Sequence, residues 1–356
     1  MPRKSRWANK FRIRMTNLEK DFKKLIAIVA DTQSLTETQA AEAFDVIMSG
    51  EATPSQIGGF LMALRVKGET VEEITGAARI MRAKMQPVEA PIGAIDVVGT
   101  GGDGMGTQNI STATALVVAG CGVFVAKHGN RAASSNSGAA DVLVELGINL
   151  DADLETVERA IREAGIGFLL APIYHSAMRH VGPARVEMGI RTIFNILGPL
   201  ANPASVKRLL VGTYDRQWIE PMAKVLGNLG TDRAWVVHGS DGLDELTTTG
   251  ASYVAELWEG NVTIKKISPT DIGLPLASLD QLKGGTPAEN ACAIRELLDG
   301  RKGAFRDIVL YGAAAALYIA GKTPELGDGV AVAASAIDEG MAAQCLENLV
   351  SITSGT

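Results

Sequence analysis

Cysteine is nearly missing from this chain. Cys121, Cys292 and Cys345 are the only three in 356 residues, and they lie far apart in apolar surroundings. With no CxxC and no His/Cys cluster, neither a disulfide framework nor a zinc site is expected, and the three read as buried thiols in a reducing, cytoplasmic setting. Long apolar runs are missing too: none reaches the ~18 residues of a membrane span, so no membrane is expected as a partner. Positive charge is in deficit, with 34 Lys and Arg against 40 Asp and Glu, and the net −6 argues against a general nucleic-acid binder. Histidine occurs four times, at His128, His175, His180 and His238, and none is spaced with a Ser or Cys as a triad would require. Aromatics make up only 5% of the residues while glycine fills 39 positions, which suits close-packed helices and α/β layers. What remains is a chain of ordinary globular composition, long enough for two domains.

The charge is unevenly spread. Arg3, Lys4, Arg6, Lys10, Arg12 and Arg14 crowd the first fourteen residues with no acid among them. No apolar stretch follows, so residues 1–14 read as a disordered basic extension and not as a secretory signal. Removing those six from the 34 basic residues leaves 28 against 40 acidic ones, a net −12 for the rest.

The most informative stretch runs from Ile95 to Arg131. Ile95-Asp96-Val97-Val98 reads as a buried strand and enters Gly99-Thr100-Gly101-Gly102-Asp103-Gly104-Met105-Gly106, five glycines in eight residues. A polar segment, Thr107 to Thr112, precedes an Ala-rich helix over Ala113–Ala119. A second strand, Val123 to Ala126, ends at Lys127-His128-Gly129-Asn130-Arg131. Strand, glycine loop, helix and strand make a βαβ unit. Glycines admit a ligand close to the backbone, and N–H groups at a helix N-terminus favour an anion, so a phosphate-bearing ligand is the first expectation. A Walker loop is excluded because no Lys follows the glycines. Gly99, Gly101 and Gly104 satisfy G-x-G-x-x-G, but a dinucleotide site wants an acid at the end of the second strand, and Lys127 and His128 stand there. A merely flexible turn does not account for the Asn-Ser-Thr and Lys-His-Gly-Asn-Arg groups closing the unit's two ends.

Gly99-Thr100-Gly101-Gly102-Asp103, Asn109-Ile110-Ser111-Thr112 and Lys127-His128-Gly129-Asn130-Arg131 together resemble the anthranilate phosphoribosyltransferase family. Two further segments extend the resemblance. Residues 166–203 follow the family's F-A-P-x-x-H-P-A-M and V-x-P-x-R-x-E-L-G-x-R-T patterns, with Ser176 in place of the usual Pro and Met188 in place of Leu. Residues 237–245 match V-H-G-x-D-G-L-D-E in full. Five motifs in the right order cover the chain from about Met15 onward.

The N-terminal part has a clear helical grammar. Thr36 with Gln39, Thr53 with Gln56 and Thr70 with Glu73 form T-x-x-Q/E capping boxes, Pro54 sits at a first helical position, and Gly50 and Gly68 mark helix ends. With a first helix over about Leu18–Asp31, these predict four short helices. Downstream, residues 132–138 form a hydroxyl-rich loop before a helix that closes at Gly147. This loop is a second anion cradle, and two cradles suit a ligand with phosphates at both ends, such as phosphoribosyl pyrophosphate. A strand over Gly167–Ala171 breaks at Pro172. One short helical piece then carries His175, Met178 and His180, and another carries Arg185, Glu187 and Arg191. Asn195 to Pro203 reads as a long turn. Ala234–His238 is a strand ending in the acidic pair Asp244-Glu245, which look like hard oxygen ligands for Mg2+ in a protein that binds pyrophosphate. Tyr253–Glu259 and Val262–Ile267 suggest a hairpin. The tail from Ala288 is helical, broken at Gly321 and at Gly327-Asp328-Gly329.

The resemblance implies an α/β fold: a small N-terminal all-helical domain and a larger α/β domain with a central mixed sheet, of the nucleoside phosphorylase/phosphoribosyltransferase type. Residues 15–86 would form the helical domain, with 172–195 returning to it as the hinge. Residues 87–171 and 196–356 would bind phosphoribosyl pyrophosphate. It implies a Mg2+-dependent pentosyltransferase acting on anthranilate and phosphoribosyl pyrophosphate, a homodimer through the helical domain, and a place in tryptophan biosynthesis. Gly99, Gly102, Asp103, Thr107, Asn109, Ile110, Ser111, Thr112, Lys127, His128, Gly129, Asn130, Arg131, Ala132, Ala133, Ser134, Ser135 and Ala139 would bind phosphoribosyl pyrophosphate. Gly99, Asn130 and Arg185 would bind anthranilate; a guanidinium suits its carboxylate through two parallel bonds. Ser111, Asp244 and Glu245 would hold the metal, and no general base is singled out. A pyrimidine nucleoside phosphorylase-like enzyme would need its own phosphate and base motifs. A non-catalytic nucleic-acid-binding relative would show a basic groove and an eroded glycine loop.

Overall fold

The computed structural model describes residues 18–131 and 137–355, and of residues 18–21 the backbone only. The basic segment 1–14 and the loop residues Ala132, Ala133, Ser134 and Ser135 lie outside the described residues. The chain divides into two compact units: one holds the residues up to Met85 together with His175–Leu197, the other Gln86–Tyr174 and Gly198 onward.

The first unit is helical. Helices Leu18–Ala30, Glu37–Met48, Pro54–Lys67 and Val71–Lys84 follow one another. All three capping boxes form, each Thr accepting from the backbone of the third helical residue. The apolar faces meet on Phe22, Phe44, Phe60 and Phe194, with ring centroids 5.5–5.8 Å apart. In the returning segment the chain makes a 3-10 turn, Ser176–His180, and a short helix, Gly182–Met188. That helix stops at Gly189 in the left-handed conformation, so Arg191 falls beyond it and not on the second helical piece. The expected long turn also differs: Phe194–Leu197 and Gly198–Leu200 are single helical turns.

The second unit is built on a seven-stranded sheet: β1 Ile95–Gly99, β2 Val125–Gly129, β3 Ile166–Leu170, β4 Arg208–Gly212, β5 Arg233–Gly239, β6 Ser252–Trp258 and β7 Asn261–Ile267. The order is β3-β2-β1-β4-β5-β6-β7. The first five strands are parallel and the β6–β7 hairpin continues antiparallel, so the sheet is mixed. Near-continuous apolar runs such as Ile-Gly-Phe-Leu-Leu and Ala-Trp-Val-Val fit strands covered on both faces. β4 has no counterpart among the strands expected from the sequence. It is five residues long, opens on Arg208 just after Lys207, and shows no alternation, because both its faces are buried.

The Ala- and Gly-rich tail forms helices Pro287–Leu298, Ala304–Ala320, Leu326–Asp338 and Met341–Ser354. Gly321 ends the second of these as expected. Gly327-Asp328-Gly329 does not break the chain and lies in the first turn of the third. Gly329 is there because a Cβ would sit 2.8 Å from Ala314 Cα, so the absent side chain lets two helices close on each other. The expectation of three buried thiols also fails in part. Cys121 is buried, Cys345 half-buried and Cys292 exposed on the outer face of its helix; none is in a disulfide. Among the described residues no helix is long and apolar enough to cross a membrane.

Candidate active site

Strand order reverses beside β1: β2 and β3 lie to one side, β4 and β5 to the other. The crevice at the carboxyl ends of such strands is where α/β sheets bind ligands. Here β1, β2, β4 and β5 all end in glycine, at Gly99, Gly129, Gly212 and Gly239, and Gly99 pairs with Gly212 in register. The missing side chains make room for the loop after β5. A Cβ on Gly99 would overlap Asp244 Oδ2, and one on Gly212 would overlap the Asp244 backbone carbonyl. Asp244 thus sits over the reversal point, where Gly101 N–H donates to its Oδ2 at 2.7 Å. Asp241 braces the loop, accepting from the Thr247 and Thr249 hydroxyls at 2.6 Å each.

The glycine loop crosses this crevice with Gly101, Gly102, Gly104 and Gly106 all at positive φ, a conformation closed to most side chains. Asp103 turns inward, accepts from Met105 N–H at 3.1 Å and faces Asp244. Burial first, and then the Asp103 charge, push the Asp244 carboxyl up to about 7. Glu245 is raised as well, by burial and then by Asp244, against the pull of Lys127 and a hydrogen bond from the Ser111 backbone.

The helix after the loop spans Ile110–Gly120 and begins earlier than the sequence suggested. Ser111 and Thr112 therefore occupy its first turn, and Ile110 sends its side chain into the core. Thr112 is 1% exposed, and its buried hydroxyl has no hydrogen-bond partner among the described residues. Thr107 pairs with Lys283 in an isolated antiparallel bridge.

β2 also runs further than expected, to Gly129, which places Lys127 and His128 inside the strand, each 3% exposed. Lys127 Nζ donates to Val97 O at 2.6 Å and to Ser111 Oγ at 3.3 Å. Burial lowers its pKa, while the charges of Asp96, Glu245 and Asp244 oppose that shift. Beneath it Asp96, fully buried in β1, accepts from His128 N–H at 3.0 Å and Asn202 Nδ2 at 2.7 Å. Burial raises Asp96 to about 6 against those donors and Lys127. Asp96 and Asn202 were not singled out from the sequence; an acid in the middle of an apolar strand was the available signal.

Asn130 and Arg131 follow at the surface. Asn130 Oδ1 accepts from Arg131 N–H, and Arg131 pairs with Asp141 at 3.3 Å. Ala139 opens the next helix, Ala139–Glu145. Arg185 belongs to the helical unit. Its guanidinium carbon lies 5.5 Å from the centre of the Phe194 ring, and burial lowers its pKa.

The chemistry these groups can do follows from their charges. Asp103, Asp244 and Glu245 crowd negative charge into a crevice that only partly solvates it, which suits a divalent cation. Among the described residues no three His, Cys, Asp or Glu side chains form a ready-made cage. An incomplete carboxylate face is what Mg2+ uses when substrate phosphates supply its other ligands. Backbone N–H groups of the glycine loop and the Lys127 ammonium offer positive potential beside it.

Comparison with known proteins places this architecture. The profile described as the a/b domain of a glycosyl transferase family matches residues 92–343, and its helical bundle domain matches residues 23–85. Anthranilate phosphoribosyltransferase of Rhodospirillum rubrum is 61% identical, covering 93% of this chain and 96% of its own. That of Azospirillum brasilense is 62% identical over 94% of each. The crystal structure of the Thermus thermophilus enzyme superposes with a TM-score of 0.88 at 45% identity, over 93% of this chain and 99% of that one. The Saccharomyces cerevisiae enzyme in complex with PRPP and Mg gives 0.86 at 30% identity, over 96% and 99%. With both domains matched in order and such identity over nearly its whole length, this chain belongs to the anthranilate phosphoribosyltransferase family.

Proposed function

We propose that the crevice at the reversal of strand order carries the family's reaction in this chain: transfer of the phosphoribosyl group of phosphoribosyl pyrophosphate to the amine of anthranilate. The products are N-(5-phosphoribosyl)anthranilate and pyrophosphate, within tryptophan biosynthesis. The observation that carries this reading is the carboxylate face at Asp244, set beside an intact glycine loop and a buried lysine. Asp244, Glu245 and Ser111 would hold Mg2+. Mg2+ held there would supply the positive charge that a leaving pyrophosphate needs.

The rest follows from the chain's own residues. The Gly99–Asp103 loop would bring main chain to the phosphates, because its missing side chains let the ligand reach the backbone. Thr107, Asn109, Thr112 and Lys127 add donors, and the Lys127–Arg131 segment with the loop through Ser135 to Ala139 holds the remaining phosphate and ribose oxygens. His128 and Ile110 contribute main chain, since their side chains are buried. Displacement at the anomeric carbon passes through a transition state of oxocarbenium character. The arylamine is neutral and nucleophilic, so holding it in line supplies much of the rate. Arg185, with Asn130 and Gly99, would bind anthranilate. The guanidinium reads its carboxylate.

A homodimer through the helical unit is supported by apolar side chains that face outward there: Met62 and Val66 on the Pro54–Lys67 helix, and Val186 and Ile190 on the returning segment. Unpaired cysteines support a cytoplasmic location. A pyrimidine nucleoside phosphorylase or a non-catalytic relative is not favoured: the glycine loop is intact and the acidic pair points to pyrophosphate. Anthranilate fluorescence should fall when phosphoribosyl pyrophosphate and Mg2+ are added to the protein and stay constant when either is omitted. Persistence of fluorescence in the complete mixture would refute the assignment.

A further inference from the structure

Asn109 stands at the N-terminus of the Ile110–Gly120 helix, yet its side chain does not cap that helix. Its Oδ1 accepts instead from Asn290 Nδ2 at 2.8 Å and from Ser137 Oγ at 3.1 Å. Both lone-pair directions of that oxygen are thereby used. Asn290 is oriented in turn by the main chain, because Gly285 N–H donates to its Oδ1 at 2.8 Å. A backbone N–H can only donate. Asn290 must therefore show oxygen to Gly285 and NH2 to Asn109, and Asn109 must receive that NH2 with its oxygen. Asn290 is 2% exposed, so water cannot take its place.

The anchor of this relay is itself pinned to the glycine loop. Gln108 N–H donates to Leu282 O at 3.0 Å and Gly284 N–H to Gly106 O at 2.9 Å. A Cβ on Gly284 would stand 2.6 Å from Thr107 O, so the two segments meet backbone to backbone. Residues 282–290, far along the chain, thus set which end of the Asn109 amide faces away from them.

We infer that Asn290 is a positioning residue for phosphoribosyl pyrophosphate: it fixes the Asn109 amide so that its two N–H donors remain for the ligand's ribose and phosphate oxygens. The inference rests on the reading of Asn109 as a ligand-binding residue. If the amide turned over, it would present a carbonyl to the phosphate oxygens, which only accept and so repel it, and it would lose its donors to the ribose. Neither Asn290 nor its helix needs to touch the substrate for this.

Asn290→Asp keeps the size and the acceptor for Gly285 but has no donor for Asn109. The KM for phosphoribosyl pyrophosphate should rise about ten-fold or more, the worth of a hydrogen bond to a charged group, while the KM for anthranilate holds. Asn290→Ser, too short to reach Asn109 and free of added charge, should raise the same constant if the aspartate variant fails to fold. A merely structural defect would not separate the two constants. Asn109→Ala should raise the phosphoribosyl pyrophosphate KM by itself, and adding Asn290→Ser to it should produce no further rise. Effects that multiply in the double variant, or an unchanged constant in Asn290→Ser, would overturn the relay alone. A wild-type constant in Asn109→Ala would remove Asn109 from the ligand, and the proposed site and the relay would fall together.

Discussion

Two glycines face the same aspartate, and replacing each with alanine should separate a binding defect from a folding defect. In Gly99→Ala the new methyl meets Asp244 Oδ2, the far end of a side chain that can swing aside. The fold should survive, but the carboxylate must leave its 2.7 Å bond from Gly101 N–H. A charge-assisted bond of this kind is worth roughly 1.5–3 kcal/mol, or about ten- to more than a hundred-fold in affinity. The Mg2+ concentration for half-maximal rate, read from anthranilate fluorescence, should rise by that factor. The Gly101 N–H also holds the Asp244 carboxyl down. Without it a group already near 7 protonates more readily, so the deficit should widen as pH falls from about 8 to 6. In Gly212→Ala the methyl meets the Asp244 backbone carbonyl, and the main chain must move. Overpacking of this sort costs about 1–3 kcal/mol, a fall in Tm on the order of 2–10 °C. A Gly99→Ala enzyme with wild-type Mg2+ dependence, or a Gly212→Ala protein that melts with the wild type, would refute the placement of Asp244.

Other perturbations test other parts. Arg185→Ala should raise the KM for anthranilate by about ten- to a hundred-fold and leave phosphoribosyl pyrophosphate binding nearly intact. Aniline, which lacks the carboxylate, is the control: the variant should lose most of its preference for anthranilate over aniline, and an unchanged ratio would assign the carboxylate to another residue. Gly102→Val should weaken phosphoribosyl pyrophosphate binding in calorimetry, since its side chain holds the backbone off the phosphates, and should lower Tm while the fold is kept, because a β-branched residue is strained at the φ of 75° that Gly102 adopts. Asp96 is raised to about 6 from the ordinary 3.8. The folded state therefore binds its proton more tightly, and the stability linked to this group is lost as pH rises through 6 and fully present below 3.8. Against Asp96→Asn, which cannot titrate, wild type should gain up to about 3 kcal/mol between pH 7.5 and 4 in denaturant unfolding. A difference that stays flat with pH would show that Asp96 is not desolvated.

Much of the helical unit was legible in the chain because its signals are local. A Thr and a Gln or Glu three residues on satisfy N–H groups within one turn, whatever lies around them, and all three boxes form where the spacing places them. The β6–β7 hairpin was readable for the same reason. Segment ends were less legible. Lys127 and His128 read as a loop because such polar side chains rarely end a buried strand, and bonds to Val97 O and Ser111 with the Asp96 charge alongside make the burial of Lys127 tolerable. Cys292 looked apolar by its neighbours, yet which face of a helix turns outward is settled by what packs on the other.

By itself, then, the sequence determined the helices and most strands, the glycine loop and the motifs that name the family, since these depend on hydrogen bonds and side-chain periods within a few residues. Tertiary structure decided the rest. Insertion of β4 beside β1 made the reversal of strand order, and no local pattern encodes it, because the burial that selects a strand's neighbour is summed over the whole sheet. The close approach of Asp244 to Gly99 and the hold of Asn290 on Asn109 join residues more than a hundred positions apart, and Gly212 meets the same Asp244 from a second strand. Those contacts exist only once the chain has closed around them, and they turn a set of plausible ligand residues into one oriented site.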